Sequence, residues 1–258
     1  TRTYLEQDKY LRWTAGDEIS FFPVTSNVRY RFTGETGANS GSFEEITSGA
    51  VSGSALARCY AVYPYAEGTT ISSDGVISFM LPSVQYYQPS SFGLGANTMV
   101  AVTANAEDNV LRFKNACGYL KLKFYNSDGA TIKSIEVKGN GEEKIAGAAT
   151  ATIDFGEAPQ LTMTDDATTT ITLDCGDGIA LGTSKEAATE FWVVIPETTF
   201  EGGITITVTD TEGGIFEKST TKEIVVERNA VQPMAALEVV CIKRLLKNNK
   251  IWYTATEK

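Results

Sequence analysis

The stretch GITITVTD, residues 203–210, decides the fold class. Ile204, Ile206 and Val208 alternate with Thr205, Thr207 and Thr209. Successive side chains of an extended chain point to opposite faces, so this pattern buries one face and leaves hydroxyls on the other. A helix would scatter the same residues around its circumference. On the N-terminal side, EFWVVIPETTFEGG (190–203) supplies the apolar run WVVIP and a glycine pair. On the C-terminal side, DTEGG (210–214) closes the strand with turn residues. Residues 190–214 therefore predict two strands and their turns.

The same grammar continues outward. Leu120, Leu122 and Phe124 alternate with lysines in YLKLKFY (119–125), and TTITLD (169–174) repeats the theme. Turn signals lie between them, NSDG at 126–129 and KGNGEE at 138–143. No amphipathic helix pattern stands out, and 23 glycines spread along the chain favour turns. Short strands at this spacing predict an all-β protein of sandwiches or barrels. TMVAVTA (98–104) ends in polar NAEDN (105–109), and a fresh β pattern starts at VLRFKNACGYLKLKF (110–124). That places a boundary near residue 108 and two sandwich-sized units, 1–108 and 109–240. Residues 241–258 read as a linker and the start of a further domain. IWYTA near the end looks like a new strand, so a longer polypeptide is expected.

Composition narrows the function. A net charge of −10 and a pI near 4.7 argue against nucleic acid, which needs a basic face, and against anionic lipid. The chain has no histidine, which removes the commonest general base, the commonest metal ligand and every Ser-His-Asp arrangement. Carboxylate pairs of glycosidase type stay open in principle. Asp165, Asp166, Asp174 and Asp177 nevertheless sit in ordinary turn contexts, and no EF-hand pattern occurs. Cys59, Cys117, Cys175 and Cys241 form no CxxC pair, and their apolar surroundings favour buried thiols, with any disulfide pairing left open. The glycine loops GLGAN (93–97) and GTS (182–184) lack a P-loop lysine. No run reaches the roughly 18 apolar residues of a membrane span. No catalytic residue, metal site or cofactor is predicted. In QYYQPSSF (85–92), Tyr86 and Tyr87 are candidates for stacking on a sugar ring, with strand-end packing as the alternative.

Several segments, taken in order, are similar to the fimbrillins, the pilus-subunit adhesins of Bacteroidetes. WTAGDEISFF (13–22), CYAVYPY (59–65) and ISFMLPSVQ (77–85) resemble the family's early strands. LRFKNACGYLKLKF (111–124) and IKSIEVKGNGEEKIAGAATATI (132–153) resemble the start of its second domain. Residues 190–214 and VERNAVQPMAALEV (226–239) resemble its closing stretch. The resemblance implies two tandem transthyretin-like β-sandwiches in an exported lipoprotein of the outer membrane, displayed at the cell surface or in the fimbrium. It implies contact with the membrane only through a lipid anchor. It also implies trimming by an arginine-specific protease, with Arg2, Arg12, Arg29 and Arg31 as candidate sites, and assembly with other fimbrillin subunits by strand exchange. Ile224, Val226, Met234, Leu237 and Val239 are then the candidate donor or terminal strand. A host or bacterial surface ligand is the other expected partner. The alternative is a non-polymerising surface module that binds carbohydrate or host glycoprotein. CIKRLLKNNKIWYTATEK (241–258) resembles the lead-in to a surface leucine-rich-repeat domain, a departure from stalk subunits, whose terminal strand lies close to the chain end.

Overall fold

A computed structural model of the chain describes the backbone of residues 4–6, 10–46, 51–242, 244–247 and 250–253, with side chains over 11–46 and 51–242. The first half contributes β1 (Tyr4–Glu6), β2 (Tyr10–Arg12), β3 (Glu18–Val24), β4 (Val28–Phe32), β5 (Phe43–Glu45), β6 (Ala55–Tyr63), β7 (Thr70–Ile71), β8 (Ile77–Leu81), β9 (Val84–Tyr86), β10 (Met99–Val102) and β11 (Lys114–Asn115). There follow β12 (Cys117–Tyr125), β13 (Thr131–Gly139), β14 (Gly147–Thr152), β15 (Gln160–Met163), β16 (Thr170–Ala180), β17 (Thr189–Pro196), β18 (Thr198–Phe200), β19 (Ile204–Asp210) and β20 (Ile215–Ser219). The last are β21 (Ile224–Val226), β22 (Val231–Pro233), β23 (Leu237–Glu238), β24 (Arg244–Lys247) and β25 (Lys250–Tyr253). No helix occurs among the described residues, and the fold class is all-β.

The C-terminal sandwich sets β17-β12-β22 against the five-stranded sheet β20-β19-β13-β16-β9. Leu120, Leu122, Phe191 and Val193 on one sheet meet Ile135, Val137, Leu173, Ile206 and Val208 on the other. The alternating isoleucines and valine of GITITVTD all face inward here, as period two requires.

The six-stranded sheet β11-β10-β6-β3-β4-β5 is apolar on both faces. Phe22, Val62, Val100 and Val102 pack inward against β8 and β14, through Ile77, Phe79, Ala149 and Ala151. On the other face stand Ile19, Ala61, Tyr63, Met99 and Ala101, with Phe21 and Tyr30 beside them. A sheet apolar on both sides needs cover on both.

Three strand pairs tie the chain before residue 108 to the chain after it. β8 pairs antiparallel with β14, β9 runs parallel to β16, and β11 completes the sheet of β10. Gln85 on β9 adds a side-chain lock. Its amide donates to the Val194 carbonyl at 2.8 Å and accepts the Val194 N–H at 2.9 Å, imitating a strand neighbour for β17. A buried polar ring lies at the same junction. The Tyr119 hydroxyl donates to Asn97 Oδ1 at 3.1 Å, Asn97 Nδ2 to Asn115 Oδ1 at 2.9 Å, and Asn115 Nδ2 to Tyr119 Oη at 3.0 Å. Each member satisfies the next, which is what makes such a network tolerable in a dry interior.

Glu18 on β3 receives both arginines of β4. Arg31 donates at 2.8 and 3.1 Å, Arg29 Nε at 2.9 Å, and Arg29 Nη2 makes a further bond. Partial burial pushes the Glu18 carboxyl up, but the hydrogen bonds and charges of Arg29 and Arg31 outweigh it and leave the group below its ordinary value of 4.5. A carboxyl depressed in the folded state stabilises above its unfolded pKa, and that contribution is lost as pH falls through the folded value. Stability of the wild type should therefore drop on acidification below about pH 4.5, and Glu18→Gln should flatten part of that loss in acid titrations followed by circular dichroism. An acid limb of unchanged slope in the variant would show that the pair contributes nothing.

Candidate functional site

The outer face of the six-stranded sheet is only partly covered, and the gap is a groove of about 870 Å³. Its floor is Trp13, Ile19 and Met99, with Phe21 and Tyr30 along one wall and Phe43, Leu111 and Phe113 along the other. Asn39, Ser40, Ser42 and Asn109 stand at the mouth, and Arg12 and Arg112 are the charged lining residues.

Local sequence explains how the floor is built. Gly16 takes φ +84° in the TAGD turn, and Thr14 N–H donates to Asp17 Oδ2 at 2.8 Å, which fixes the entry to β3. Asp17 is buried and accepts the Tyr63 hydroxyl at 3.3 Å. That turn sets Trp13 over the sheet, where it packs on Phe32 (5.7 Å between ring centres), Phe43 (5.2 Å), Tyr63 (5.4 Å) and Phe113 (5.2 Å). The loop between β4 and β5 folds over the Phe32 ring, and a Cβ at Gly34 or Gly41 would lie within 2.8 Å of two of its carbons. Only glycine lets that loop approach so closely.

The other wall is the connection from β10 to β11. Asp108 Oδ2 accepts Ala104 N–H at 3.0 Å and Asp108 Oδ1 accepts Val110 N–H at 3.0 Å, so its root is a tight turn. Beyond that turn Leu111 and Phe113 dip into the outer cluster. The arrangement is a strand-wide apolar trough beside exposed polar loops. It offers shape and desolvation to an extended apolar ligand; acid–base machinery is not what it supplies.

No protein-family model and no curated protein matches the chain. Among solved structures it is similar to a candidate cell adhesion protein from Bacteroides ovatus, 18% identical, with a TM-score of 0.50 over 95% of this chain and 87% of that one. A candidate cell adhesion protein from Bacteroides uniformis is 20% identical over 83% of this chain and 84% of its own, with a TM-score of 0.46. The fold is shared with the first. At 18% identity that likeness says nothing finer.

The residues singled out from sequence lie apart from one another. Arg2 is outside the described residues. Arg12 lines the groove. Arg29 and Arg31 lie in β4, paired to β3 on one side and β5 on the other, and both are tied to Glu18. Ile224, Val226 and Val239 are buried in this chain's own C-terminal core, with Met234 and Leu237 packed against it. β22 and β23 run parallel to β12, and the Val239 N–H donates to the Tyr125 carbonyl at 2.8 Å. That segment is the closing strand of its own sandwich. Tyr86 is 59% exposed, whereas Tyr87 packs on Phe191 at 5.3 Å. Neighbours on one strand face opposite ways, so the two rings form no common platform.

The four cysteines are free thiols, three of them buried. Burial pushes Cys117 up to about 12, which leaves it without thiolate character at neutral pH. Among the described residues no group of three or more His, Cys, Asp or Glu side chains could hold a metal ion. The leucine-rich-repeat continuation rests on side chains from residue 243 onward, which lie outside those described. The backbone there pairs β24 with β25 as an antiparallel hairpin. The groove residues were missed in the sequence because Trp13, Phe43 and Phe113 come from three separate segments. The signal present was the alternation of Ile19 and Phe21 with Ser20 and Phe22, apolar on both faces.

Proposed function

We propose that this chain is a non-enzymatic, exported cell-surface protein of fimbrillin type, a pilus structural or tip subunit or an adhesin, that joins other subunits through exchanged β-strands. The observation that carries the reading is the groove over Trp13. A sheet apolar on both faces has one face short of cover by about a strand's width, and an added strand would bury Ile19, Phe21, Tyr30 and Met99. Main-chain hydrogen bonds and alternating apolar side chains are what such an addition uses. Support also comes from the shared fold with a candidate cell adhesion protein. The units 1–108 and 109–240 are the proposed sandwiches of the subunit, and residues from 241 onward the proposed lead-in to a further surface domain. The donor would come from outside residues 224–239, since those side chains already fill their own core.

The test is assembly of purified protein, with any native N-terminal extension restored, after treatment with an arginine-specific protease. Heat-labile, SDS-resistant ladders and filaments are expected. Ser42→Arg, an exposed change at the groove mouth, should abolish the ladders while leaving the melting temperature unchanged. Ladders that survive this variant would place the acceptor elsewhere, and monomer under all conditions would count against strand exchange. In a second reading, Tyr86 alone, exposed beside Asp174 on β16, contacts a surface glycan. Tyr86→Ala would then remove glycan-array binding without affecting assembly.

A further inference from the structure

Residues 103–113 form a strap along one wall of the groove, and its two ends are held very differently. The root is pinned by the Asn105 and Asp108 side chains, which cap the N–H groups of residues 104, 107, 108 and 110. Strand pairing resumes only at Lys114, which faces Val100. Between the two, residues 109–113 have no strand partner, and Val110 and Arg112 are exposed. The Arg112 guanidinium sits 5.7 Å above the Phe155 ring, a contact at the surface. Proteases bind their substrates extended, so an exposed, unpaired stretch is cut in preference to a laddered one. Arg29, Arg31 and Arg58 lie inside β4 and β6, both paired on two sides.

We infer that the Arg112–Phe113 peptide bond is a built-in processing site for an endoprotease that cuts after arginine, and that the cut opens the groove. Water adds across the bond, leaving a carboxylate on Arg112 and an ammonium on Phe113. A carboxylate is poorly solvated against the apolar wall, so residues 109–112 swing out and take Leu111 with them. The space Leu111 filled joins the groove. The molecule stays in one piece, because β8 remains paired with β14, β9 with β16, and β10 with β11. The role of the opened groove rests on the strand-acceptor reading above; the cut itself does not.

The test is a time course of the purified chain with an arginine-specific protease, read by intact mass and N-terminal sequencing. Native gel filtration and binding of an apolar dye follow the consequence. Within residues 11–242 the first new N-terminus should be Phe113, both fragments should elute together, and dye fluorescence should rise several-fold. Arg112→Lys keeps the charge over Phe155 and should be spared at this bond with an unchanged melting temperature. A first internal cut after Arg29, Arg31 or Arg58, fragments that separate, or dye binding unmoved by the cut would each overturn the inference. A cut at Arg112 with an opened groove but no ladders would leave it standing and count against strand exchange instead.

Discussion

Trp13→Ala should lower the stability of the folded chain by about 3–5 kcal/mol, the range for removing a large aromatic from a core. The indole is 9% exposed and touches four aromatic rings, so its loss removes the centre of the outer cluster. The void would open into the groove and admit water, which favours the lower part of that range. Trp13→Phe should recover more than half, because a ring remains against Phe32, Tyr63 and Phe113. Denaturant unfolding followed by circular dichroism measures both. The transition should also stay single, since the inner cluster of the N-terminal sheet includes Trp192 and Val194 from β17. A cost below about 1 kcal/mol would mean that the outer face contributes little, and the groove would then be surface decoration.

Gln85→Leu should cost about 1–3 kcal/mol for each main-chain group it strands. The side chain is 2% exposed, and its amide satisfies both the N–H and the carbonyl of Val194. Leucine fills similar volume with no polar atom, so the two Val194 groups are left dry and unpaired. Hydrogen exchange at the Val194 amide should speed up more than at Leu120, which is paired across the same strand by backbone alone. Equal protection at the two positions, with unchanged stability, would show that water replaces the glutamine without cost.

Individual strands were legible because their signal is local. Ile204, Ile206 and Val208, like Leu120, Leu122 and Phe124, announce their buried face by alternation alone, and those faces are buried. Tyr86 and Tyr87 were read as equivalent because adjacency in sequence does not tell which face is inward; pairing of β9 beside β16 does. Ile224, Val226 and Val239 have the pattern of a strand that fills a slot, and the slot is in their own sandwich, beside β12. Whose slot an apolar strand fills is a question about partners, and alternation does not encode partners.

From its order of residues alone, this protein had a fold class, an acidic surface and a chemistry without histidine. Those follow from period-two burial and from the inventory of side chains, which no tertiary arrangement changes. Only the tertiary structure brought β8 to β14 and Gln85 to Val194, and only it left one face of the six-stranded sheet short of cover. The physical reason is that pairing between strands some 70–110 residues apart depends on the combined fit of many weak contacts, whereas each strand's own periodicity is set by its backbone.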